Sequence, residues 1–219
     1  IMFAIHPQPS SGSRQVRTES LVSFNNQTNI RIRIDGSIPS SSDWRQAVSN
    51  AISNWNAISN CRLNFSLVTA GSYDILVKDD VNSLLLDGLV PNGEPYPTYY
   101  PVAAGGSYPS YGKPGGELLV NLDMFEPFGP LNLAQKTYNI SHNLGHCVGL
   151  LHTDVIPGYT ESGRVQIPGT FSNDQNSIMR YQDLTRDWTF SSEDLEAIRF
   201  LYGSDRKRVC LRTWEGGYY

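Results

Sequence analysis

One eleven-residue window constrains this chain more than any other: His142-Asn143-Leu144-Gly145-His146-Cys147-Val148-Gly149-Leu150-Leu151-His152. Three of the chain's four histidines fall in it. His142 and His146 stand at i and i+4, which on a helix puts both imidazoles on one face, within reach of a single ion. Gly149 lets the chain leave that helix, because glycine accepts the left-handed backbone found at helix ends. His152 can then fold back as a third ligand. Three protein ligands leave a fourth position for water, the arrangement of a catalytic rather than a structural zinc site. Three unrelated core or surface histidines are the alternative, and the glycine together with the third histidine argues against it.

With these residues the chain resembles the metzincin metallopeptidases, whose signature is His-Glu-x-x-His-x-x-Gly-x-x-His. The resemblance implies a methionine turn beneath the zinc, and Ser177-Ile178-Met179-Arg180-Tyr181 is similar to one, twenty-seven residues from His152 to Met179. Taken alone, Met179 reads as a core methionine; its place after the histidines makes it the apolar floor under the site. Tyr181 resembles the tyrosine with which astacin-type members bind zinc or stabilise the oxyanion. The chain departs from astacins in reading Thr153-Asp154 where they carry a glutamate after the third histidine. The second, structural zinc of matrixins needs further histidines, and only His6 is left over.

Asn143 stands where the signature has its glutamate. In a zinc peptidase that carboxylate takes the proton of the attacking water and passes it to the leaving amine. An amide can hold water but accepts no proton. Loss of a general base costs about 10²–10⁴-fold in rate, so hydrolysis by this sequence is expected to be faint or absent, with zinc binding intact. Two explanations stay open at this point: an active peptidase whose base has been replaced, or a natural pseudo-peptidase that uses a zinc-stabilised cleft to bind protein or peptide. The expected partner in both is an extended polypeptide.

The 219 residues can bury a substantial core. A net charge of −4 without a long basic run excludes a nucleic-acid surface, Arg206-Lys207-Arg208 reading as a solvated turn. No apolar run approaches the roughly twenty residues of a membrane span. Low charge content and abundant Ser, Asn, Gly and Tyr suit a secreted, extracellular or periplasmic protein, and a monomer is expected. Of three cysteines, Cys61 and Cys147 are expected to pair, tying the first helix region to the active helix, with Cys210 left over.

The expected organisation is an entry segment or propeptide remnant at 1–28, a metzincin-like domain at 29–203 and a tail at 204–219. Residues 29–35 alternate apolar and polar side chains, as a half-buried strand does. Ser42 and Asp43 open a helix with Trp44, Val48, Ile52, Trp55 and Ile58 at helical spacing. Further strands are predicted at 63–68, 73–77 and 116–122, and a long surface loop at 84–114 pinned by Tyr96, Tyr99, Tyr100, Tyr108 and Tyr111. The active helix is expected from Leu133 to Gly149. Ser191 with Asp194 forms a capping-box pattern for a last helix that ends at Gly203. Asp79, Asp80 and Asp87 are weak calcium candidates and read better as acidic surface. The fold class is α+β: a twisted mixed sheet with two helices in an upper lobe, and a mostly irregular lower lobe with one C-terminal helix.

Overall fold

The computed structural model describes residues 15–80, 103–122, 130–154, 161, 163–170, 174–180, 186–187 and 189–204. Among these the chain runs β1 (Val16–Arg17), β2 (Ile30–Ile34), α1 (Asp43–Asn56), β3 (Phe65–Leu67), β4 (Ile75–Asp79), β5 (Ala104–Gly106), β6 (Glu117–Val120), α2 (Leu133–Cys147), β7 (Leu150–Leu151), β8 (Val165–Gln166) and α3 (Ser192–Tyr202). The architecture is the expected α+β one, with a mixed five-stranded sheet in the order β3-β2-β4-β6-β5. The first four strands are parallel and the edge strand β5 is antiparallel.

Strand alternation decides which face of that sheet is covered. Ile30, Ile32, Ile75, Val77, Leu118 and Val120 are buried. Arg31 and Arg33 alternate with them, Arg31 forming a two-pronged bond to Asp74 and Arg33 stacking over the ring of Tyr73. Both α1 and α2 lie in the same core: Trp44, Ala47, Val48, Ala51, Ile52 and Trp55 from α1, Tyr138, Ile140, Leu144 and Cys147 from α2. Trp55 fastens the two helices, its indole N–H donating to Ser141 O at 3.1 Å, one residue before His142. Its ring meets Phe65 and Phe190 edge-on.

Part of the predicted 84–114 loop is a strand, and 81–102, with Tyr96, Tyr99, Tyr100 and Asp87, lies outside the described residues. Ala104-Gly105-Gly106 carries no β-branched or aromatic signal. Its glycine answers to packing instead: a Cβ on Gly106 would sit 2.5 Å from Asn143 O, so only glycine lets β5 lie this close on the active helix. Past β5 the chain turns through Tyr111 (φ 49°) and Gly112 (φ 73°) between Ser110 and Lys113.

Three further departures stand out. The strands β1, β7 and β8 were not expected; they form a second small sheet in the order β7-β1-β8, with β1 in the middle and antiparallel to both neighbours. The expected Cys61–Cys147 bridge is not formed, and both are free thiols. Cys147 is fully buried with Sγ 3.7 Å from Glu117 O, and burial pushes its thiol up to about 12, where it is an inert core group. Asp80 is buried, with its N–H on Val120 O, rather than part of a solvated acidic surface. No helix among the described residues is long and apolar enough to cross a membrane.

Candidate metal centre

α2 starts at a capping box, Asn132 bonding Gln135 N and Gln135 bonding Asn132 N, and ends at Cys147. Gly149 follows with φ 97° and turns the chain into β7, which delivers His152. The three predicted ligands meet. His152 Nε2 lies 3.2 Å from His146 Nε2 and 3.2 Å from His142 Nε2. The edges of a zinc tetrahedron with Zn–N of about 2.0–2.1 Å are about 3.3–3.4 Å, so the spacing fits one ion shared by three imidazoles. Among the described residues this is the one group of histidine, cysteine or acidic side chains gathered closely enough to hold a metal.

The other ring nitrogens explain why these ones converge. His142 Nδ1 donates to Ile178 O at 2.6 Å, and His146 Nδ1 donates to Leu150 O at 2.9 Å. His152 Nδ1 lies 2.9 Å from Glu161 Oε1. A proton on Nδ1 of His142 and His146, where a carbonyl accepts it, leaves each Nε2 lone pair for a metal. Burial holds the three imidazoles below their ordinary titration range, His146 and His152 well below it, and their mutual repulsion when protonated adds to this for both. The rings are therefore neutral and ready to ligate at neutral pH.

Met179 is completely buried against α2. A Cβ on Gly145 would lie 2.5 Å from Met179 Sδ, which explains the glycine between the first two histidines. The turn that presents Met179 is held by Asp194. Its Oδ1 accepts from Gln15 Nε2 (2.8 Å) and Ser177 Oγ (2.7 Å), and its Oδ2 accepts from Ile178 N (2.7 Å) and Ser191 N (2.9 Å). The expected capping box of α3 is present, and the same carboxylate braces the peptide next to the one that receives His142. Tyr138 adds a hydroxyl bond to Ile178 O at 3.1 Å. Tyr181 lies outside the described residues.

Glu161 was not foreseen. It sits nine residues past His152 with a side chain 4% exposed. Oε1 also accepts from Tyr108 OH (2.9 Å), and Oε2 accepts from His152 N (3.0 Å) and Arg164 Nη1 (3.0 Å). Asn143 is 3% exposed, and its Nδ2 donates to Asn139 O at 2.8 Å, one turn back along α2.

The model of the dual-action HEIGH metallo-peptidase family, Peptidase_M57, matches residues 4–202. The chain belongs to that family. It is a metzincin-type family of zinc metallopeptidases, as the histidine run predicts. In one-letter code the HEIGH name spells the stretch that here reads H-N-L-G-H over 142–146, so this HEIGH metallopeptidase departs from its family's own name at Asn143 and, conservatively, at Leu144. No curated protein matches the chain.

Proposed function

We propose that this chain is a zinc metalloendopeptidase for extended polypeptide whose hydrolytic step is crippled by Asn143. The observation that carries the reading is the set of three Nε2 atoms spaced for one zinc, beside a helix position whose side chain already donates to Asn139 O and has no proton acceptor of carboxylate strength. Zinc held there supplies a Lewis acid for the scissile carbonyl and for water. The residues of the chain supply the rest. His142, His146 and His152 hold the ion from neutral rings, and α2 keeps two of them in fixed register. β5 carries no further strand on its outer side among the described residues, and Gly106 seats it directly on α2 at Asn143 and His146. An extended peptide that adds to this edge runs past the metal with its backbone paired.

The deciding experiment is Asn143→Glu. Zinc-dependent cleavage of a peptide library is expected to rise about 10²–10⁴-fold over the unmodified chain and to vanish with a chelator. A zinc-loaded Asn143→Glu protein that cuts nothing sinks the peptidase reading. Composition supports a secreted or periplasmic location, which fractionation tests directly, and a monomer is the expected state, which sedimentation tests.

A further inference from the structure

Among the three ligands only His152 rests on an anion. His142 and His146 give their Nδ1 protons to neutral backbone carbonyls, whereas His152 faces Glu161. His152 is also the ligand that most needs outside support: the other two share one helix, while this one follows a two-residue strand.

We propose that Glu161 is the positioning residue of the third ligand: held by Arg164 and Tyr108, its carboxylate fixes the rotation and proton placement of the His152 ring, so that Nε2 faces the metal. The proposal rests on the zinc reading above. Glu161 binds both ends of the same residue, Oε1 at the ring and Oε2 at the main-chain N–H, and so locks the imidazole against its own backbone. Arg164 closes the loop from the other side, donating Nη1 to Glu161 Oε2 and Nη2 to His152 O at 2.8 Å. Tyr108 OH, His152 N and Arg164 Nη1 hydrogen-bond to the two carboxylate oxygens and fix the group with Oε1 2.9 Å from the His152 ring nitrogen. Tyr108 ties this unit to the helix: its hydroxyl is on Glu161, and its ring stands edge-on to His146 with centroids 5.4 Å apart and planes at 89°.

The test uses the full chain and measures zinc affinity by chelator competition, the visible absorption of the cobalt-substituted protein, and the melting temperature of the metal-free form. E161Q keeps the shape and removes the charge. It is expected to weaken zinc binding about 10–100-fold and to alter the cobalt spectrum. Y108F removes one donor and is expected to weaken binding about fivefold in the same direction. E161Q that melts lower when metal-free, yet binds zinc as tightly as the unmodified chain with an unchanged cobalt spectrum, shows a merely structural glutamate and overturns the proposal. An unmodified chain that takes up neither zinc nor cobalt overturns the zinc reading and this proposal with it.

Discussion

Two buried carboxylates stand behind the histidines, and each is held by several hydrogen bonds, yet they do different work. Glu161 touches a ligand directly and has a cation, Arg164, on its other oxygen. Asp194 is completely buried among neutral donors from the entry segment, the methionine turn and the cap of α3, and it reaches His142 only through the backbone at Ile178. Burial pushes the Asp194 carboxyl above the usual carboxylate range, with its hydrogen bonds opposing that shift. Comparable satisfaction therefore does not mean equal role. A carboxylate in contact with an imidazole adjusts a ligand, and one that gathers distant peptide groups holds chain segments together.

Asp194→Ala gives the largest expected effect. It orphans donors on Gln15, Ser177, Ile178 and Ser191 in the core and is expected to cost at least about 3 kcal/mol of stability by chemical denaturation. If it instead leaves stability intact and weakens zinc more than E161Q does, the contrast between the two carboxylates is broken.

Next comes pH. The folded-state values of the three histidines lie below 6.5, so the unfolded chain binds protons first as the pH falls. Metal-free stability is therefore fully present above about pH 6.5 and is lost below it, with a slope of at most about 1.4 kcal/mol per pH unit for each proton. The raised value of Asp194 has the opposite sign and offsets part of this loss at more acidic pH. Denaturation midpoints that stay flat from pH 7.5 to 5.5 contradict the histidine assignment.

Gln15→Ala removes one of the four donors to Asp194 and is expected to cost about 1 kcal/mol, with zinc affinity unmoved. The smallest effect is the coupling between the two carboxylates. Among the described residues they share no hydrogen-bond partner, so the metal-free stability losses of Asp194→Ala and Glu161→Gln should add to within about 0.5 kcal/mol in a double-mutant cycle.

The parts of the site legible in the sequence are those governed by local spacing. His142, His146, Gly149 and His152 follow from helix geometry and one left-handed turn, and Ser191 with Asp194 follows from the chemistry of a helix start. Strand β2 was legible because alternation marks a half-buried strand, and β3, β4 and β6 because short apolar runs do. What escaped depends on contacts between distant segments. Glu161 has no fixed spacing from His152. Gln15 looks like any polar residue in an entry segment. β5 is written in alanine and glycine, whose reason is the closeness of α2 rather than strand propensity. Asp194 was legible as a cap and illegible as the brace of the methionine turn, because its bond to Ser191 N is local in sequence and its bonds to Ile178 N, Ser177 and Gln15 are not.

The small sheet has a consequence for how the molecule is made. β1 lies between β7 and β8, so the start of the chain is stitched to stretches on both sides of Glu161, about 135 and 150 residues away. Gln15 reaches further still, to Asp194. On a ribosome, α1 and the parallel strands can collapse early, but the cradle for His152 cannot close until Glu161 and Arg164 have emerged, nor the brace behind His142 until α3 has. The histidines of α2 are thus synthesised before the residues that cradle the third of them, and the main sheet is complete in sequence while the histidine centre is not.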